Sequence, residues 1–224
     1  MPRTFRNTLG GTFVVLACLA AFSAAAGARP VYLDDRHPGD DARSILWEPK
    51  QAAFEKLQAA LALPPTAARD TQDDFDVNYY DIDIEIDEGP ETVAGSVVMR
   101  ATSTIEGLST VILDLYDNMT VDSVAHDGAP ASYTHSSDLV TVTLNSAVNT
   151  GGDLEIEIVY HGAPVDDALN FSTHDGTPII SSLSEPIGAR QWWPCKDTPA
   201  DKADSARIAL TVDDAYIAVS NGML

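Results

Sequence analysis

Positive charge is what this sequence has least of. Only 13 Lys and Arg stand against 34 Asp and Glu in 224 residues, a formal net charge of −21. Contacts to phosphate need clustered Lys and Arg, so no nucleic acid is expected as a partner. Attachment to anionic lipid is disfavoured for the same reason, and the acidity reads as a solvated surface that keeps the protein soluble. Cysteine is nearly as scarce, with only Cys18 and Cys195. Cys18 falls in an N-terminal segment expected to be removed, and a single remaining thiol forms no internal disulfide. Long apolar runs are missing as well. The longest, Leu9 to Phe22, is short of the roughly 20 residues a stable membrane span needs. The five histidines, at 37, 126, 135, 161 and 174, include no i, i+4 pair and no H-E-x-x-H. No Gly-rich phosphate loop and no recognisable Ser-His-Asp signature is present either, so no catalytic residue and no metal site is expected in this chain.

What is there divides into three parts. Residues 1–28 carry Arg3 and Arg6, then the apolar run, then the small-residue tract SAAAGA, the order of a secretory signal peptide. Secretion to a periplasmic or extracellular space follows. The alternative, lipid attachment at Cys18, is weakened by the bulky Leu16 and by the apolar run continuing past the cysteine. Residues 29–75 form a charged lead-in. Within it, Pro49 opens the segment WEPKQAAFEKLQAALAL, whose Phe54, Leu57 and Leu61 make one helical stripe. Pro64-Pro65 ends that short helix, and TAARDTQDD reads as a linker.

From residue 76 to 224 the period changes to two. In VNYYDIDIEID, Tyr80, Ile82, Ile84 and Ile86 face one way and Asp81, Asp83, Glu85 and Asp87 the other, the pattern of a strand with one buried and one solvated face. Further strands are expected over 93–105, 110–116, 121–126, 131–135, 139–144 and 154–161, separated by turn sequences such as Asp127-Gly128 and Gly151-Gly152. Regularly spaced strands without helices predict an all-β domain, an antiparallel sandwich or saddle-shaped sheet. Residues 162–204 read as a long loop, after which Ile208, Leu210 and Val212 alternate in a core strand and a last strand begins at Tyr216.

The loop contains ARQWWPCKDTPA, residues 189–200, with two of the three tryptophans side by side. Two buried indoles pin a loop to a sheet, so Trp192 and Trp193 are read as packing and Cys195 as a structural thiol. Arg190 and Asp197 have the charges to brace the loop as an ion pair. Thr198-Pro199-Ala200-Asp201 has the form of a helix N-terminus. His126 and His135 flank a turn and are read as ordinary surface histidines rather than a metal pair.

Glu185, Arg190, Pro194, Cys195, Asp197, Pro199, Lys202, Ala203 and Ser220-Asn221-Gly222 together resemble the end of the N-terminal β-domain of the aminopeptidase N family of zinc metallopeptidases, which includes leukotriene A4 hydrolase. Strand organisation resembles that domain over 76–224, and the motif itself over 183–222. The resemblance implies a chain that precedes a zinc-bearing catalytic domain in cis, with zinc held by that absent domain and no cofactor in this chain. Further sequence is then expected after Leu224. It also implies that Glu185 helps to hold the free α-amino group of a peptide, a contact suited to a carboxylate. Leu183 departs from the family's polar residue at its position. Alone, the chain is expected to be inactive. The other reading is a stand-alone secreted β-sandwich that binds a partner without catalysis.

Overall fold

The computed structural model describes residues 12–16, 55, 72–165, 169–174, 176–184 and 187–220. Among these described residues thirteen strands follow in order: β1 (Thr12–Leu16), β2 (Phe75–Asp87), β3 (Thr92–Ser103), β4 (Leu108–Asp114), β5 (Met119–His126), β6 (Ala129–Pro130) and β7 (Ser132–Ser136). They continue with β8 (Leu139–Val148), β9 (Asp153–Gly162), β10 (Leu169–His174), β11 (Thr177–Ser182), β12 (Ser205–Thr211) and β13 (Tyr216–Val219). The architecture is all-β, as the period of two predicts. The expected helix near residue 50 lies outside the described residues apart from Glu55, which is helical. Of residues 1–28 only β1 is described, so the remainder of the expected leader also lies outside them.

The strands form a six-stranded sheet in the order β12-β2-β3-β9-β5-β6, a three-stranded sheet β4-β8-β7, and a four-stranded sheet β10-β11-β1-β13. Most neighbours are antiparallel, but β12 runs parallel to β2, and β1 runs parallel to both β11 and β13. The sheets are therefore mixed. Alternation along β2 puts Ile82, Ile84 and Ile86 inside, at 5%, 0% and 3% exposure. The register shifts between Val77 and Tyr79. That bulge carries the inward face from the odd positions Phe75 and Val77 to the even positions Tyr80 and Ile82. Met99, Ile156, Ile158 and Tyr160 of the six-stranded sheet and Val111, Leu113, Val140 and Val142 of the three-stranded sheet belong to one continuous core. Each such side chain contributes about 1.5–3 kcal/mol of burial. His126 joins the two sheets: its Nδ1, on β5, accepts the main-chain N–H of Asn145, on β8, at 3.0 Å.

Two expectations need correction. The stretch read as loop over 162–204 contains the β10–β11 hairpin, its turn carrying Gly176 at φ 77°. Its strands are short and interrupted by Pro178, which hides their alternation. Nor is β12 a core strand. It lies at the sheet edge, Ile208 is 41% exposed, and only the C-terminal end approaches the interior, where Val212 is buried. Alternation reports which residues share a face, not whether anything covers that face.

Candidate functional site

The stretch 189–200 lies against the ends of β2 and β4. A single 3-10 turn, Ala189–Gln191, follows Gly188, whose φ of 148° is a conformation that side-chain-bearing residues avoid. Trp192 is 5% exposed and contributes to the core, with Trp193 packed against it. The two indoles meet edge to face at 6.4 Å, and Trp193 meets Tyr80 likewise at 5.2 Å. The phenol of Tyr160 donates to the Trp192 carbonyl at 3.0 Å. The tryptophans are thus packing residues, as expected.

The expected Arg190–Asp197 ion pair is present, Nε to Oδ2 at 2.8 Å, and it is part of a larger buried network. Arg190 also reaches Asp114 Oδ1 at 2.8 Å. Asp114 Oδ2 accepts from Gln72 Nε2 and from the Asp197 N–H, both at 3.0 Å. Asp114 and Cys195 exchange main-chain hydrogen bonds at 2.7 and 3.1 Å, so the loop adds a one-residue bridge to the end of β4. Lys196 is buried too: its N–H donates to the Tyr80 hydroxyl at 2.9 Å, and its Nζ donates to the Phe75 carbonyl and to Asp201. The side chains of Asp114 and Asp197 are only 6% and 4% exposed, so their charges depend on Arg190 and on these N–H donors. For Arg190 itself, burial opposes the charge, but Asp114 and then Asp197 outweigh it and hold the guanidinium above its ordinary pKa.

Sequence reasoning did not find Asp114, Gln72, Tyr80 or Lys196 as members of this network. The available signal was Asp114 itself, an acid set between the buried Leu113 and Leu115. The expected helix N-terminus at Thr198 does not form. Thr198 Oγ1 accepts the Ala200 N–H at 3.3 Å across a simple turn. His126 is 2% exposed rather than a surface histidine as expected, and it and His135 have separate partners, the Asn145 N–H and the Leu115 carbonyl.

Glu185 lies outside the described residues, but both of its flanks are within them. On one side Ser184 Oγ accepts from Trp192 Nε1 at 3.0 Å. On the other, the Gly188 N–H donates to Asp197 Oδ2 at 2.9 Å. The tryptophan and the ion pair therefore fasten the chain on each side of residues 185–186.

Burial raises the pKa of Cys195 well above its ordinary value, and the neighbouring Asp197 and Asp114 add to the effect. Burial also raises Tyr80 and Tyr160. All three groups ionise more readily in the unfolded chain. Their contribution is complete at neutral pH and is lost as pH rises past the unfolded values, about 8.5 for Cys and about 10 for Tyr. Urea unfolding is expected to show stability level from pH 7 to 8, then falling by about 1.4 kcal/mol per pH unit from the thiol alone. Cys195→Ala should delay the fall until the tyrosines titrate, and an unchanged onset would show that the thiol is not its source.

Comparison with known proteins identifies the family. Aminopeptidase N of Lactobacillus helveticus is 32% identical over 143 residues, which is 55% of this chain and 16% of that protein. The structure of a two-domain M1 zinc metallopeptidase mutant bound to L-arginine matches 64% of this chain and 34% of its own, at 28% identity and a TM-score of 0.54. The M1 zinc metallopeptidase of Deinococcus radiodurans gives 28% identity and a TM-score of 0.52, over 62% of this chain and 32% of its own. Leukotriene A4 hydrolase of Saccharomyces cerevisiae, at 24% identity and a TM-score of 0.52, covers 69% of this chain and 27% of its own and shares the fold. The chain thus spans about a third or less of the length of these relatives. Residues 76–224, from the first buried strand through the braced loop to the last strand, match the Peptidase M1 N-terminal domain, and the chain belongs to that family.

Proposed function

We propose that this chain is the substrate-amine-recognition and scaffold part of a secreted zinc aminopeptidase that removes N-terminal residues from peptides. Glu185 is the residue assigned to the α-ammonium group. The observation that supports it is the fastening of the chain at Ser184 and at Gly188, on either side of that position. A carboxylate suits an ammonium, because charge-assisted contacts are the stronger hydrogen bonds. Zinc belongs to the catalytic domain expected in cis. The described residues of this chain do not fit a zinc site, because no three His, Cys, Asp or Glu side chains converge. His126, His135 and His161 are each engaged elsewhere, the last with Asp122. Secretion rests on the order of residues 1–28. Among the described residues no helix is long and apolar enough to cross a membrane.

The purified chain with added zinc is expected to show no turnover of aminoacyl-arylamides, and chelator-sensitive turnover would overturn the division of labour. Coupled to a zinc-binding catalytic domain, Glu185→Ala should lower kcat/KM about 10- to 100-fold, the loss of one hydrogen bond to a charged group. An unchanged kcat/KM would remove Glu185 from the amine site.

A further inference from the structure

His126 is a buried titratable group that the proposed function does not use. It ends β5 at 2% exposure, and its ring lies at the seam between the six-stranded and three-stranded sheets. Nδ1 accepts the Asn145 N–H at 3.0 Å, so that nitrogen carries no proton and the neutral ring bears its proton on Nε2. Asn145 fastens β8 a second time through its side chain, whose Nδ2 donates to the Ala129 carbonyl of β6 at 3.3 Å. Nε2 makes no hydrogen bond among the described residues, but it lies 3.3 Å from Asp127 Oδ2. Asp127 is held in that place. Its φ is 52°, its Oδ1 accepts the Glu155 N–H at 2.9 Å, and its own N–H donates to the Glu155 carbonyl at 2.9 Å.

Other ionisable groups around the ring are engaged or face away. β6 and β8 contain none. On β9, Ile156 is the cross-strand partner of His126 and is buried with it, whereas Glu155 and Glu157 alternate to the opposite face, where Glu155 pairs with Arg100. Tyr133 and His135 of β7 meet the Val121 and Leu115 carbonyls, and Asp114 of β4 is bound to Arg190. Among the described residues, Asp127 is the charge set against the imidazole. Its side chain is 56% exposed, which gives solvent protons a way in. Protonation of Nδ1 puts N–H against N–H across the β5–β8 bond, and an imidazolium cannot accept. The same proton strengthens the attraction between Nε2–H and Asp127, because hydrogen bonds between ions are the stronger kind. We infer that His126 is an acid-operated latch between the two sheets: neutral, it holds β8 through the Asn145 N–H; protonated, it releases that N–H and closes on Asp127. The exchange is local. One bond is given up as another forms, so the Asn145 N–H reports it rather than the stability of the whole fold.

The test follows the whole chain by NMR from about pH 8 to about pH 5, the range in which histidine ordinarily changes charge. Ring nitrogen shifts report the tautomer and charge of His126. Hydrogen exchange, corrected for the intrinsic pH dependence of amides, reports Asn145. The protection factor of Asn145 is expected to fall about tenfold or more, with the same midpoint as the ring, while that of Val142 in the β4–β8 pairing changes less than about threefold. Asp127→Asn keeps an acceptor for the Glu155 N–H and a residue that tolerates the left-handed turn. It should move both midpoints to lower pH by about half a unit or more, because the imidazolium loses its neighbouring carboxylate. His126→Gln, whose side chain does not titrate, should make Asn145 protection independent of pH; if that variant does not fold, the shift in Asp127→Asn decides alone. Ring titration that leaves Asn145 protected, a ring that stays neutral down to acid unfolding, or midpoints unmoved in Asp127→Asn would each overturn the latch.

Discussion

Arg190→Met is expected to lower the free energy of unfolding by about 3–5 kcal/mol, the usual cost of breaking a buried ion pair by removing one partner. Methionine keeps much of the stem's volume, so the loss reports the charge. Asp114 and Asp197 would stay buried, with Gln72 and main-chain N–H groups as their remaining partners. Urea unfolding measures the loss, and the rate at which Cys195 reacts with a thiol reagent reports it independently, because the thiol is buried beside the network. The double variant Arg190→Met, Asp197→Asn should recover part of the stability. An asparagine carbonyl can still accept the Gly188 N–H while one uncompensated charge is gone. A loss below about 1 kcal/mol for the single variant would place this ion pair among ordinary surface pairs.

The second large effect is expected for Trp192→Ala, about 3–5 kcal/mol. The substitution empties a core position and removes the edge-to-face contact with Trp193. It also frees Ser184 from the indole N–H, while the bond from Tyr160 survives because it is made to the main-chain carbonyl. Trp192→Phe separates the terms. It keeps an aromatic ring and loses the N–H bond, worth about 1 kcal/mol, together with a smaller packing term. Amide hydrogen exchange should speed at Leu183 and Ser184 in both variants, but at Gly188 mainly in the alanine variant, since Asp197 still holds that N–H. Unchanged exchange at residues 183–184 in both would mean that Trp192 does not fasten that side of Glu185.

Strands such as β2 were legible because each carries its own evidence: Ile82, Ile84 and Ile86 alternate with acids, and their burial follows. The bulge at Asn78, which carries the inward face from Val77 to Tyr80, was not anticipated. The β10–β11 hairpin was not legible, because six-residue strands containing Pro178 do not repeat long enough to set a period. The edge position of β12 was hidden for a different reason. Its partner, β2, lies far back in the chain, and only tertiary structure decides what covers Ile208. The same holds for the buried network. The Arg190–Asp197 pair was anticipated over a short span, whereas Asp114 and Gln72 approach it from other parts of the fold. The role of Glu185 came from family resemblance alone, since no local property distinguishes one carboxylate among 34 acidic residues.

The parallel pairing of β12 with β2 also has a consequence in time. Arg207 and Asp81, partners across that pairing, are separated by 126 residues. β3, on the other flank of β2, is joined to it by a short turn and is available almost at once. At about 5–20 residues per second of synthesis, β2 waits roughly 6–25 seconds for its second neighbour to be made. An unfilled strand flank is an invitation to neighbouring nascent chains. During that interval Asp81, Asp83, Glu85 and Asp87 put a negative charge at every second position of β2, so that a second copy of the same strand is repelled until β12 arrives.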